Sequence, residues 1–241
     1  MLLLGYEFLG YDRTTDVTEF KVEGRTIRLA GLDSGGDLGV FKNAYKVNVS
    51  NKTVLDIGAN IGDRALHFLN SGAEKVIAVE ADPYTFHLLE RNIEINELND
   101  RIIPLNAAVS DASGIIRIPY RNVNVIGTGA DQKKYPEGTV GVAVPKVSLM
   151  SMIQEYNIVA SVLKMDCEGC EYDAILPTGP EALRNAFSDI AIEYHYGALR
   201  LAEYLKKNHF NVEYSPKESY YNKSSIPHRM SLGMLYASRK K

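Results

Sequence analysis

An aspartate, a glycine-containing loop and a glutamate follow one another at the spacing of a nucleotide-binding unit. Asp56 lies near the end of an apolar run, and the loop after it contains Gly58, Asn60 and Gly62. About twenty residues further on, a second apolar run ends in Glu80. Glycines let the backbone approach a ligand, the helix after the loop offers free N–H groups, and a carboxylate can accept both hydroxyls of a ribose. The pattern therefore predicts a site for a nucleoside-containing cofactor.

The spacing inside this loop favours S-adenosylmethionine over a dinucleotide. From Asp56 the loop reads Asp-x-Gly-x-Asn-x-Gly, whereas the dinucleotide fingerprint reads Gly-x-Gly-x-x-Gly. S-adenosylmethionine has no pyrophosphate that needs a cradle, and its amino group suits an acidic neighbour such as Asp56. A nicotinamide cofactor is the less favoured alternative. The structural alternative is a tight turn in which Glu80 only caps the next helix.

Four polar residues later in the chain are candidates for the transfer chemistry. Lys164 and Asp166 lie two apart in one predicted strand, and Glu193 and His195 lie two apart in the next, so each pair shares a face. A buried lysine needs a partner, and we expect Lys164 to pair with Glu193. His195 is the predicted general base because the pKa of histidine lies near neutrality, and Asp166 organises the site near the methionine amino group. The alternatives are a structural ion pair and a histidine bonded to a loop.

Two cysteines and a glutamate follow Asp166 directly. Cys167 and Cys170 are half of a zinc site, and no histidine pair near them in the sequence completes it. We therefore predict no metal site, and we interpret the cysteines as small residues that pack the start of a helix. Glu168 is expected to organise the site together with Asp166.

Composition narrows the class of protein. The 241 residues are 45% hydrophobic, enough for one large α/β domain or two small ones. The formal net charge of −3 argues against bulk electrostatic binding to nucleic acid. The first four residues, Met-Leu-Leu-Leu, are too short an apolar run for a signal peptide or a membrane span. With only two cysteines in the chain, we predict a cytoplasmic protein with no membrane partner.

The periodicity of apolar residues divides the chain in two. Residues 1–50 are predicted to form a β-rich extension or cap, with a hairpin of Thr18–Val22 and Arg25–Leu29 and a helix or loop near Asp37–Tyr45. Residues 51–241 alternate apolar strands with helices, which predicts a Rossmann-like, mostly parallel sheet covered by helices on both faces. A hairpin inserted at residues 114–145 and a polar loop, Ser215–Met230, interrupt this alternation.

Ligands of parallel sheets bind at the carboxyl ends of the strands, so polar residues at those ends should line one rim. These predicted rim residues are Asp56, Glu80, Asn106, Asp166 and Glu193.

Four motifs resemble those of the FkbM-type methyltransferases, and they are Val54–Asp63, Val79–Pro83, Leu105–Asp111 and Leu163–Glu171. The resemblance implies a class I S-adenosylmethionine-dependent enzyme with a seven-stranded sheet whose last strand is antiparallel. It also implies that Asp56, Gly58 and Asn60 contact the methionine part of the cofactor, Glu80 the ribose, and residues 106–108 the adenine. The complete predicted cofactor set is Asp56, Gly58, Ala59, Asn60, Gly62, Glu80, Ala81, Asn106, Ala107, Ala108 and Asp166.

These observations predict an S-adenosylmethionine-dependent methyltransferase that methylates an oxygen of a small or saccharide-like acceptor. One alternative is an RNA or tRNA methyltransferase on the same cofactor domain, which a basic surface joining residues 1–50 to residues 215–230 would favour. The alternative from another class is a non-catalytic cofactor-binding protein, which would tolerate changes at Glu193 and His195. The acceptor does not follow from the resemblance, because residues 1–50 and 215–230 match nothing in it.

Overall fold

The structure is a computed structural model, and it describes residues 6–32, 45–119, 141–216 and 231–240. The strands are β1 (Glu7–Asp12), β2 (Val17–Val22), β3 (Arg25–Ala30), β4 (Thr53–Ile57), β5 (Lys75–Glu80), β6 (Ile102–Asn106), β7 (Ala108–Ser110), β8 (Gly114–Pro119), β9 (Gly141–Ser148), β10 (Ser161–Met165), β11 (Phe187–Tyr194), β12 (Phe210–Pro216) and β13 (Gly233–Arg239). The helices are α1 (Asp63–Asn70), α2 (Pro83–Ile95), α3 (Leu149–Glu155), α4 (Glu171–Ile175), α5 (Pro180–Ala186) and α6 (Leu199–Lys207).

A seven-stranded sheet forms the centre, in the order β12-β13-β11-β10-β4-β5-β6. Strand β13 runs antiparallel to both of its neighbours, and the other pairs are parallel. The chain builds outward from β4 in one direction and from β10 in the other, so the strand order reverses between these two. Such a switch point is where doubly wound sheets bind ligands. The predicted fold class, including the single reversed strand, is confirmed.

The inner strands are apolar because helices cover both faces of the sheet. Strand β4 is buried from Val54 to Ile57, and every residue of β10 is buried. Helix α2 begins after Asp82, whose side chain accepts the N–H of Thr85 as an N-cap. Helix α3 begins with a capping box at Ser148. The predicted starts of these two helices, at Asp82-Pro83 and at Ser148, are therefore confirmed.

The N-terminal residues form a separate antiparallel sheet, β1-β2-β3, that contains the predicted hairpin. Phe20 and Leu29 of this sheet are buried in one hydrophobic cluster with Val54 and Phe68 of the central domain. The side chain of Asn92 on α2 also bonds the backbone of the extension. The extension therefore shares a core with the central domain, and a domain boundary at residue 50 stays a prediction.

The predicted inserted hairpin is present as β8 and β9, which pair antiparallel beside β7. Three short elements escaped prediction: β1, β7 and α5. Strand β1 is largely exposed and β7 has only three residues, so neither shows a clear apolar period. Most of the predicted element near Asp37–Tyr45 and most of the loop Ser215–Met230 lie outside the described residues. Among the helices that the structure describes, none is long and apolar enough to cross a membrane.

Candidate active site

The loop between β4 and α1 is built against the end of β10. Gly58 has a φ of 77°, a conformation that favours glycine. A Cβ added there would lie 1.9 Å from the backbone oxygen of Asp166, so no larger residue fits without a shift of the backbone. The N–H groups of Gly58 and Ala59 donate to the carbonyl oxygen of Val79 at 2.9 and 3.0 Å. The loop is therefore fixed between β5 and β10, at the switch point.

Glu80 stands at the carboxyl end of β5, partly exposed, with its carboxylate turned towards the loop. Oε2 accepts the N–H of Asn60 at 2.9 Å, and Oε1 accepts the N–H of Asp82 at 2.8 Å. A carboxylate has about four acceptor positions, more than the two that these N–H groups occupy. The Asn106 side chain donates to the backbone oxygens of Glu80 and Ala81 at 2.9 and 3.2 Å, which ties the end of β6 to the same place.

Three further residues of the predicted cofactor set are small and lie beside this rim. Gly62, with a φ of 91°, forms the N-cap of α1, and its N–H donates to the carbonyl oxygen of Ala59. Ala107 donates its N–H to the carbonyl oxygen of Glu80 at 3.2 Å, and Ala108 opens β7. Ala107 and Ala108 are both buried. The loop, Glu80 and the 106–108 segment are thus brought together, as the sequence predicted for one ligand.

Lys164 pairs with Asp56, so the predicted pair of Lys164 with Glu193 is wrong. The parallel register of β10 places Lys164 beside Asp56 of β4 on one side and beside Ala191 of β11 on the other. Nζ lies 2.8 Å from Oδ1 of Asp56 and donates to the carbonyl oxygen of Gly58 at 2.8 Å. Burial lowers the pKa of Lys164, but the charge of Asp56 outweighs it and the net pKa is raised. Lys164 therefore stays charged.

Asp56 is fully buried, contrary to the expectation that it lines the rim. Its carboxylate acts on the loop through Lys164, which holds the Gly58 carbonyl group. A buried charge is stable only when it is paired, and each member of this pair compensates the other. Asp56 and Lys164 are thus positioning residues beneath the glycine loop.

The ends of β10 and β11 carry a second group of polar residues around His195. The imidazole is 3% exposed. Its Nδ1 lies 2.9 Å from Oε1 of Glu171, and its Nε2 lies 3.4 Å from Glu168 and 3.8 Å from Asp166. Glu193 is the penultimate residue of β11 and is close enough for its charge to act on Asp166. We refer to Asp166, Glu168, Glu193 and His195 as the acidic rim.

The proton on His195 is held more tightly than the sequence suggested. Burial lowers the pKa of His195, but hydrogen bonds to Glu168 and Glu171 and the charges of both raise it to about 10. A raised pKa favours the protonated imidazole, which weakens His195 as a general base, and its catalytic role stays a prediction. Partial burial raises the pKa of Asp166 to about 6, against the charge of Lys164, which lowers it.

Two features of the segment after Asp166 escaped the sequence analysis. Cys167 and Cys170 form a disulfide, where the sequence was interpreted as two packing residues. The bridge encloses Glu168, whose φ of 58° is unusual for a residue other than glycine. Glu171 is fully buried and accepts the N–H groups of Cys167 and Gly169 as well as bonding His195. The only sequence signal for it was its place at the end of the Lys164–Glu171 motif.

Three features define a class I S-adenosylmethionine-dependent methyltransferase. They are the order of the sheet, the glycine loop after β4 and the carboxylate at the end of β5, in the position that binds ribose. Residues 56–216 match the Methyltransferase FkbM domain, which is more than half of the chain. The chain belongs to this family.

Segments of the chain are similar in sequence to known proteins. A 69-residue segment is 41% identical to the tRNA(Phe) (4-demethylwyosine(37)-C(7)) aminocarboxypropyltransferase of Pyrococcus horikoshii, covering 29% of this chain and 25% of that protein. A 70-residue segment is 29% identical to the ribosomal protein L11 methyltransferase of Geobacter, covering 29% and 23%. The matches thus span about a quarter of these relatives. The FkbM methyltransferase structure from Methylobacillus flagellatus is 18% identical with a TM-score of 0.50, over 81% of this chain and 46% of that one.

The cofactor of this enzyme is S-adenosylmethionine, and the described residues fit it. The loop at Gly58 presents backbone where a side chain would collide. Glu80 offers carboxylate oxygens about twenty residues after the glycine loop, which is the usual position of the residue that binds ribose. When bound, the cofactor supplies a methyl group on a positively charged sulfur.

Proposed function

We propose that the enzyme transfers the methyl group to a hydroxyl oxygen of a small or saccharide-like acceptor that binds at the acidic rim. The observation that supports this is the set of carboxylates at the ends of β10 and β11, next to the cofactor loop. Carboxylates accept hydrogen bonds from hydroxyl groups and can take the proton that a hydroxyl loses on methylation. The proposed proton acceptors are Asp166 and Glu193, while His195 positions Glu168 and Asp166.

Charge favours a neutral acceptor over a phosphate-bearing one. The rim and the residues beneath it hold five carboxylates, Asp56, Asp166, Glu168, Glu171 and Glu193, against the two cationic groups of Lys164 and His195. A site with an excess of negative charge repels a phosphodiester and attracts neutral polyols through their hydroxyl donors.

On the cofactor side, the loop from Gly58 to Gly62 and Glu80 hold the donor. Asn106, Ala107 and Ala108 form the adjoining wall, and Ala81 lies beside it on the chain. Lys164 and Asp56 keep the loop in place from below. Holding donor and acceptor in line contributes up to about 7–11 kcal/mol in well-oriented systems, so much of the proposed catalysis is positioning.

Product analysis tests this proposal. The full chain is incubated with labelled S-adenosylmethionine and a panel of neutral saccharides and polyols, and methylated products are identified by mass spectrometry. We expect an O-methyl ether from at least one of them, and a loss of turnover on the order of 10²-fold or more in Asp166→Asn, measured at saturating cofactor because Asp166 also belongs to the predicted cofactor set. Full turnover in Asp166→Asn would remove Asp166 from the reaction.

Methylation of tRNA is the second candidate, and the 69-residue identity to a tRNA-modifying enzyme favours it. The same labelled cofactor with unmodified tRNA transcripts separates the two. Label in tRNA and none in any saccharide would show that the acceptor is a nucleic acid and not a small molecule. Cofactor binding without label in any acceptor would favour a non-catalytic role.

A cytoplasmic location stays a proposal from the sequence.

A further inference from the structure

The geometry points to a divalent transition-metal site formed by Asp166, Glu168 and His195. One ligand atom from each of these residues lies within 4.8 Å of the other two. Two carboxylates and one imidazole suit ions such as Mn²⁺, Fe²⁺ or Zn²⁺ better than Ca²⁺ or Mg²⁺, which prefer oxygen alone. The sequence predicted no metal site, because these ligands come from two segments that meet only in the folded sheet.

The distances from Nε2 of His195 to the two carboxylates are close to those between ligand atoms in a coordination shell. Nε2 of His195 lies 3.4 Å from Glu168, a long hydrogen bond compared with the ~2.7–2.9 Å of a charge-assisted one, and 3.8 Å from Asp166, which is beyond hydrogen-bond distance. Ligands ~2.1 Å from a metal ion at tetrahedral angles are ~3.4 Å apart. An ion between the three groups would therefore meet all of them with small movements of Asp166 and Glu168, which are about one-third exposed.

A buried carboxylate behind His195 supports the same conclusion independently. Glu171 is fully buried, and its Oε1 lies 2.9 Å from Nδ1 of His195. Histidines that bind metals almost always direct their other ring nitrogen at a carboxylate or carbonyl group, which fixes the ring. Here Nδ1–H donates to Glu171, so that Nε2 of a 97%-buried ring faces the two carboxylates.

The ion would have open coordination positions, since three protein ligands leave at least one site for another ligand. The position at the acidic rim, beside the loop that holds the cofactor, makes an acceptor hydroxyl a candidate for that position. A metal ion would orient the hydroxyl and lower its pKa. This role rests on the proposed function, whereas the site itself does not depend on the identity of the acceptor.

Binding of Mn²⁺ alone to the full chain tests the site without cofactor, acceptor or turnover. We expect one Mn²⁺ to bind per chain. Binding is measured by electron paramagnetic resonance, as the loss of the signal of the free ion. Glu168→Gln should weaken binding at least 10-fold, and Glu171→Gln about 10- to 100-fold through the orientation of His195. Glu213→Gln, an exposed carboxylate on β12, is the matched control and should bind as the unchanged protein does.

The disulfide offers a second control, because bridged cysteines do not bind metal ions. A Cys167→Ser/Cys170→Ser variant should retain stoichiometric Mn²⁺ binding. Circular dichroism of each variant separates lost binding from lost folding, and Glu168 is exposed enough for its variant to fold. Absence of Mn²⁺ binding in the unchanged protein, or equal affinity in Glu168→Gln, would overturn the metal site. Either result would leave the proposed methyl transfer standing, because that proposal is tested separately, by the formation of a methylated product.

Discussion

Replacing Lys164 with methionine is the sharpest test of how the cofactor loop is held. Lys164 and Asp56 are 1% and 0% exposed, and the substitution leaves the Asp56 carboxylate buried with no cation. Breaking a buried pair in this way costs about 3–5 kcal/mol. This is a large share of the 5–15 kcal/mol that typically stabilises a domain. The Gly58 carbonyl group also loses its donor, so cofactor affinity should fall together with stability.

Lys52 provides the matched control, because its ion pair has the same length but is more exposed to solvent. Its Nζ lies 2.8 Å from Asp189, but the two side chains are 23% and 22% exposed. Lys52→Met should cost about 1 kcal/mol or less, since solvent screens such pairs. Urea unfolding gives the free energy of each variant, and isothermal titration with S-adenosylmethionine gives the affinity. The argument fails if Lys164→Met loses no more stability than Lys52→Met.

A double variant separates the buried charge from the lost contact. Asp56→Asn combined with Lys164→Met removes both charges, and we expect it to recover a large part of the stability that Lys164→Met loses. Cofactor affinity should not recover, because the Gly58 carbonyl group still lacks its donor. Additive losses in the double variant would show that the two side chains are not coupled.

Three further predictions concern the rim and the loop. Glu80→Ala should weaken S-adenosylmethionine binding by about 1.5–3 kcal/mol for each ribose hydrogen bond lost, and isothermal titration should show no change for exposed Glu90→Gln. Gly58→Ala should abolish cofactor binding, because its Cβ would lie 1.9 Å from a backbone oxygen, while Gly179→Ala, which meets nothing within 4 Å, should bind normally. His195→Ala should lower turnover and leave cofactor affinity unchanged; full turnover would exclude this residue from the reaction.

The sequence was sufficient for the fold, and it predicted which residues of the proposed cofactor site lie close together. The strands are short apolar runs, their alternation with helical patterns implies a parallel sheet, and the loop carries its glycines at fixed offsets. Each of these signals lies within about thirty residues of chain. The sequence therefore predicts Gly58, Asn60 and Glu80 as neighbours, and the structure brings them together through the Asn60–Glu80 hydrogen bond.

Tertiary structure alone decided which charges meet. Lys164 and Gly58 are 106 residues apart, and only the register of β10 against β4 shows that Lys164 lies beside Asp56 and not beside Glu193. The charge on His195 was likewise hidden, because it depends on burial and on distances to Glu168 and Glu171. Spacing along a chain fixes which face of an element a residue occupies. Pairing between strands that are distant in the chain sets its partner, and residue spacing within one strand does not identify that neighbouring strand.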